Sequence, residues 1–171
     1  MLEMMDSRPN VGQFHSTDAL LQENASQLVQ RCITNWESSL KKVFAGKPTS
    51  SPTVLVVTGS SNRACALIKQ LSTLKLPIAK LFSRHMKVDQ QKDAMKKTAF
   101  PIGVGTPNRV LKLLDLGYIK LSKTTLVIFD VSVDVKGYHL FSQADTKGDS
   151  AVLLQRHLLN NDELQFACLT A

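Results

Sequence analysis

Residues 53–58, T-V-L-V-V-T, most constrain what this chain can fold into. They are apolar at successive positions rather than alternate ones, and rich in β-branched Val and Thr. A strand with one wet face alternates apolar and polar residues; a strand covered on both faces does not. Such a strand belongs in a parallel sheet packed by helices on both sides, and the remaining sequence supplies the neighbours. Residues 78–82, 100–104, 125–129 and 165–169 are short runs of strand length. Residues 63–73, 88–98, 106–116 and 150–159 read as the helices between them, the third beginning with Pro107 in its first turn. Residues 140–147 give no decided pattern. Upstream, Leu20, Leu28, Val29, Cys32, Trp36, Leu40 and Phe44 recur at helical spacing. They predict one long helix, straight or bent, capped within residues 16–18 and ending before Gly46 and Pro48. A helix followed by repeated strand–helix units predicts an α/β domain over residues 16–171, with a flexible leader over residues 1–15.

A chain of 171 residues holds one domain of ordinary size. Its apolar runs fall well short of the roughly 20 residues that span a bilayer. Residues 1–13 carry Glu3, Asp6 and Arg8 and have no apolar core, so no secretory signal is read there and an intracellular protein is expected, with no membrane partner. Cys32, Cys65 and Cys168 form no C-x-x-C pair, which excludes the usual zinc spacings and a disulfide framework. His15, His85, His139 and His157 are far apart, with no carboxylate at helical spacing. No metal, cofactor or catalytic set is therefore expected.

Charge is unevenly placed. Residues 1–62 are neutral; residues 63–123 hold thirteen Lys and Arg against three acids; residues 124–171 are net −3. A basic block inside a folded domain is a phosphate-binding footprint or a solvated lysine surface. Ligands of parallel sheets bind at the carboxyl ends of the strands, here the loops at 59–63, 85–87, 105–109 and 130–134. The loop G-T-P-N-R at 105–109 leaves a strand and opens a helix, where free N–H groups, the Thr106 hydroxyl and the Arg109 charge suit a phosphate. The loop G-S-S-N-R at 59–63 has the same design; helix capping explains Ser60 and Ser61 without a ligand, but not Arg63. His85, between Arg84 and Lys87, can join that basic surface. Gly46-Lys47-Pro48-Thr49 is no phosphate loop: the earlier glycine is missing, and it follows a predicted helix instead of a strand. Asp130 ends a strand where nucleotidases place a magnesium-binding aspartate, but Val131 stands where the neighbouring carboxylate would be; capping of a nearby loop is the simpler role for Asp130.

These segments fall in a known order. Residues 54–71 occupy the place of the P-T-R-E-L-A segment of DEAD-box helicases, V-G-T-P-N-R-V resembles their T-P-G-R motif, and L-V-I-F-D and Q-F-A-C-L-T-A stand where the D-E-A-D box and the S-A-T strand would be. The segments V-V-T-G-S-S-N-R-A, K-L-F-S-R-H-M-K-V, G-V-G-T-P-N-R and L-V-I-F-D resemble, more closely, the Cms-one family of small-subunit processome proteins. The resemblance runs over about residues 16–171. It implies a single degenerate RecA-like domain and a non-catalytic factor in ribosome biogenesis, located in the nucleolus. Pre-ribosomal RNA and processome proteins are its implied partners, with the chain a monomer inside a large ribonucleoprotein. Carried over from helicase loops, Ser60, Ser61, Arg63, Thr106 and Arg109 become RNA-contact candidates; Arg84 and Lys87 join them from the basic block. Two alternatives stand beside this reading: a remnant of an RNA helicase's first, ATP-hydrolysing domain, and a scaffold that docks proteins only.

Overall fold

In a computed structural model, the structure describes the backbone of residues 14–15 and, in full, residues 23–84 and 86–170. All strands run parallel in a six-stranded sheet. In chain order they are β1 (Phe14–His15), β2 (Val54–Val57), β3 (Ile78–Leu81), β4 (Ile102–Gly105), β5 (Leu126–Asp130) and β6 (Gln165–Leu169). The spatial order is β1-β6-β5-β2-β4-β3. β2 lies inside the sheet, between β5 and β4, and all its side chains are buried, as its unbroken apolar run requires.

Helices α1 (Ala25–Cys32), α2 (Trp36–Ala45) and α3 (Ser61–Leu71) cover one face. There they pack on Val54, Val56, Ile102, Val104, Leu126 and Ile128. Helices α4 (Val88–Lys97), α5 (Pro107–Asp115) and α6 (Ala144–Leu153) cover the other, over Leu55, Val57, Leu81, Val127, Phe129 and Phe166. Alternate residues of each strand thus enter opposite cores. Each fully buried Val, Leu or Ile adds about 1.5–3 kcal/mol relative to exposure.

Three expectations change. The long N-terminal helix is two helices, broken at Asn35, which sits in the left-handed region at φ 52°. The break follows Ile33 and Thr34, β-branched residues that propagate a helix poorly, and falls on the residue type that most readily takes that conformation after glycine. α1 is capped by Asn24, whose side chain accepts from the N–H groups of Ser26 and Gln27, while Gln27 returns a bond to the Asn24 N–H. The cap expected at residues 16–18 lies outside the described residues. Second, Phe14 and His15, read as leader, pair with Phe166 and Ala167 at the sheet edge. Third, the last helix begins at Ala144 rather than 150 and continues through a π turn at Leu154–Leu158. Its buried face is built partly from Thr146 and Ser150, whose hydroxyls bond to the Leu140 and Thr146 carbonyls. A polar buried stripe hides a helix from hydrophobic periodicity.

Candidate nucleic-acid interface

The carboxyl ends of β2 and β4 each open into a helix, and the two corners are built from similar sequence. At the first, Ser60 caps α3: its hydroxyl oxygen accepts from the Arg63 N–H at 3.2 Å. The Arg63 side chain turns inward to Asp130 at the end of β5. Nε donates to Oδ2 at 2.8 Å and Nη2 to Oδ1 at 3.2 Å. The Thr58 hydroxyl donates to Oδ2 at 2.7 Å, and the Ser132 hydroxyl donates to Oδ1. Arg63 Nη2 also donates to Ser132 Oγ at 2.9 Å, closing the ring. Asp130 is 2% exposed, and a buried carboxylate is tolerable only with such pairing. Asp130 is thus the anchor of Arg63 rather than a loop cap.

At the second corner, Gly105 ends β4. A Cβ there would stand 2.5 Å from both the Leu81 carbonyl oxygen and Val110 Cγ2, so no other residue fits. Thr106 is the N-cap of α5, its side chain makes no capping bond, and Pro107 takes the first helical position. Arg109 also turns inward: Nη1 donates to the Met86 carbonyl at 3.0 Å and to Gln91 Oε1 at 2.7 Å. Gln91 is buried and donates in turn to the Lys80 and Phe82 carbonyls at 2.7 and 2.9 Å. Burial pushes the Arg109 pKa down from its ordinary value. Its hydrogen-bond partners are a carbonyl and a carboxamide, so no carboxylate among them cancels its charge.

The segment between β3 and α4 links the corners. Arg84 donates to Asn62 Oδ1 in the first turn of α3. Lys87 stands exposed at the start of α4, and Lys80 and Arg84 line a hollow with Cys65, Phe82 and Met86. Ser60 is exposed, Ser61 and Thr106 half-buried. The structure therefore gathers the expected residues at one end of the sheet, with Arg63 and Arg109 as internal ties. His85 lies outside the described residues.

Sequence reasoning missed a cleft beside the first corner. It has a volume of about 280 Å³ and lies between Thr58–Gly59–Ser60 and the segment that follows β5, including Asp134, Tyr138, His139 and Gln143. A tight turn forms its outer wall: Asp134 Oδ1 accepts from the N–H groups of Lys136 and Tyr138, the Asp134 N–H donates to the Tyr138 carbonyl, and Gly137 takes φ 79°. The D-V-K-G sequence carries that turn chemistry and was the available signal. Val133, Val135 and Tyr138 are exposed on it.

Among the described residues no group of three or more His, Cys, Asp or Glu is placed to hold a metal, and no helix is long and apolar enough to cross a membrane. The three cysteines are unpaired and half-buried. Gly46 closes α2, so the G-K-P-T segment does follow a helix.

A parallel sheet with this strand order and helices on both faces is a RecA-like α/β domain. It matches a DEAD-box protein from Methanococcus jannaschii with a TM-score of 0.56 at 17% identity, over 81% of this chain and 36% of that one. S. cerevisiae Dbp5 bound to RNA and ADP BeF3 matches with a TM-score of 0.54 at 15% identity, over 80% of this chain and 32% of that one. The family model described as "CMS1: U3-containing 90S pre-ribosomal complex subunit" matches residues 2–165, and the chain belongs to that family. Protein CMS1 of Chaetomium thermophilum is 29% identical over 81% of this chain and 60% of its own length. Protein CMSS1 of Danio rerio is 33% identical over 66% of this chain and 40% of its own length, and the Homo sapiens protein of that name 33% over 64% and 39%. The chain thus spans roughly two-fifths to three-fifths of the relatives it matches.

Proposed function

We propose that this chain is a non-catalytic binding domain of the early, U3-containing pre-ribosome, acting in the nucleolus as a monomer within that particle. It holds the backbone of pre-ribosomal RNA, alongside processome proteins, at the carboxyl end of its sheet. The observation that carries the reading is the convergence of Ser60, Ser61, Arg84, Lys87 and Thr106 on one end of the sheet, next to the uncompensated charge of Arg109. Hydroxyls, helix N-termini and basic side chains are what grips a sugar-phosphate chain. Arg63 and Arg109 act in this reading as ties that fix the loops rather than as direct contacts.

Two features favour binding without ATP hydrolysis. The sequence between β1 and α1, S-T-D-A-L-L-Q-E-N at residues 16–24, contains neither glycine nor lysine, whereas a phosphate loop needs both. The Asp130 carboxylate, which in such folds faces magnesium, is already bonded on both oxygens by Arg63, Thr58 and Ser132.

The test is titration of the chain with single-stranded RNA at several salt concentrations. The logarithm of the affinity is expected to fall with the logarithm of salt, by about 0.7 per phosphate neutralised. Salt-independent affinity would remove the backbone reading. RNA-stimulated ATP hydrolysis that disappears in Asp130→Asn would remove the non-catalytic one.

A further inference from the structure

We propose that the cleft between the β2–α3 loop and the turn after β5 seats one unpaired RNA base. The inference rests on the RNA reading above and adds a base contact to a backbone grip. Three properties of the cleft select this occupant.

The first is size. At about 280 Å³ the cleft is smaller than most pockets of roughly 300–1,000 Å³ that enclose drug-sized ligands. It admits one flat ring or one side chain, not a helix or a strand. The second is charge. Arg63 is the cation in its wall and is cancelled by Asp130, while Asp134 adds a negative charge at the rim. A phosphate is repelled there and a neutral group is not. The third is the pattern of unused bonding groups. His139 Nδ1 accepts from the Phe141 N–H at 3.2 Å, which leaves the ring proton on Nε2, a nitrogen that bonds to none of the described residues. The Gln143 side chain makes no hydrogen bond with the described residues, and its Oε1 lies 3.3 Å from where a Gly59 Cβ would be. Glycine at 59 keeps that carboxamide open to the cleft, with a donor and an acceptor available to a base edge.

Tyr138 supplies the platform. The residue is 50% exposed, and its ring stacks on no other ring among the described residues. Its backbone is fixed by Asp134 on both sides, so little entropy is lost when a base lies on it. Bases stack on aromatic side chains whatever their identity. The position also fits the backbone path. Ser60 both lines the cleft and caps α3, so a phosphate held at the first turn of α3, beside Arg84, leaves its base next to the opening.

The experiment compares a hexamer of uridylate with a ribose-phosphate hexamer carrying no bases, each titrated into the full chain at one low salt concentration. The uridylate hexamer is expected to bind about 10-fold tighter, the value of one stacked base. Tyr138→Ala should erase that advantage and leave the base-free hexamer unaffected, while Tyr138→Phe keeps it; the melting temperature of each variant verifies folding. Photo-crosslinking of a 4-thiouridine hexamer to wild-type protein, independent of any variant, should label the peptide containing Tyr138. Equal binding of both hexamers overturns the proposal and leaves the backbone grip standing. If neither binds, the RNA reading itself has failed. If Tyr138→Ala changes neither affinity and no crosslink reaches that peptide, the turn belongs to a protein contact and the base site is refuted.

Discussion

The two corners of this domain start from nearly the same sequence, G-S-S-N-R and G-T-P-N-R, and end in different electrostatic states. Arg63 is neutralised by a buried carboxylate that another strand delivers. Arg109 meets a carbonyl and a carboxamide, which hold it in place and leave its charge in full. An arginine in a strand-to-helix loop is therefore not by itself a phosphate contact. The group it bonds to decides whether the corner is cationic or merely rigid. The first corner became a neutral wall beside a cleft; the second remained part of a basic surface that continues through Lys87 and Arg84.

Removing the tie at the first corner should have the largest effect. Arg63→Ala leaves Asp130 buried without its cation, at a cost of about 3 kcal/mol, the low end for a broken buried pair because Arg63 is partly exposed. Urea denaturation measures this, and the double change Arg63→Met with Asp130→Leu should restore most of the loss. If Arg63→Ala is harmless, the pair is not what holds this corner. At the second corner, Gln91→Ala removes the acceptor of Arg109 and the donor to two carbonyls, for about 2 kcal/mol by the same measurement.

RNA affinity separates the two corners further. Lys87→Ala should lower the salt slope of RNA affinity by about 0.7, the share of one phosphate contact. The Arg63→Met, Asp130→Leu double variant should leave that slope alone, because the pair it removes is neutral. A slope that falls equally in both would erase the distinction between the corners.

The smallest effect is expected at the far end of α5. There Asp115 accepts from His157 Nε2 and Arg156 Nη1, both at 2.8 Å. The His157 bond, with help from Arg156, holds the Asp115 carboxyl below its ordinary pKa of 3.8. A depressed folded-state pKa contributes stability above the ordinary value, and this is lost as pH falls through the folded value. Asp115→Asn should therefore lower the urea midpoint slightly near neutral pH, and the difference from wild type should shrink below pH 3.8. A difference that persists undiminished into strong acid would show that the contact is not electrostatic.

Much of this was legible without coordinates. The positions of β2 to β6, the parallel sheet and the helices on both faces follow from apolar runs and turn residues, which are local properties of the chain. So do the two loops, because glycine, a capping hydroxyl and an arginine lie within five residues of one another. The break at Asn35 and the early start of α6 were hidden, since one turns on a single left-handed residue and the other on buried hydroxyls. The cleft was hidden because its walls are 79 to 84 residues apart in sequence, at Gly59 and at Tyr138 to Gln143.

The sequence by itself determined the layered α/β architecture and where its phosphate-suited loops would lie, because hydrophobic period and turn chemistry act over a few residues. Only the tertiary structure decided what each arginine does. Arg63 and Asp130 are separated by 67 positions, and Arg109 and Met86 by 23. A charge is cancelled or kept by whatever the fold brings within three ångströms of it, and no local pattern in the chain encodes that neighbour.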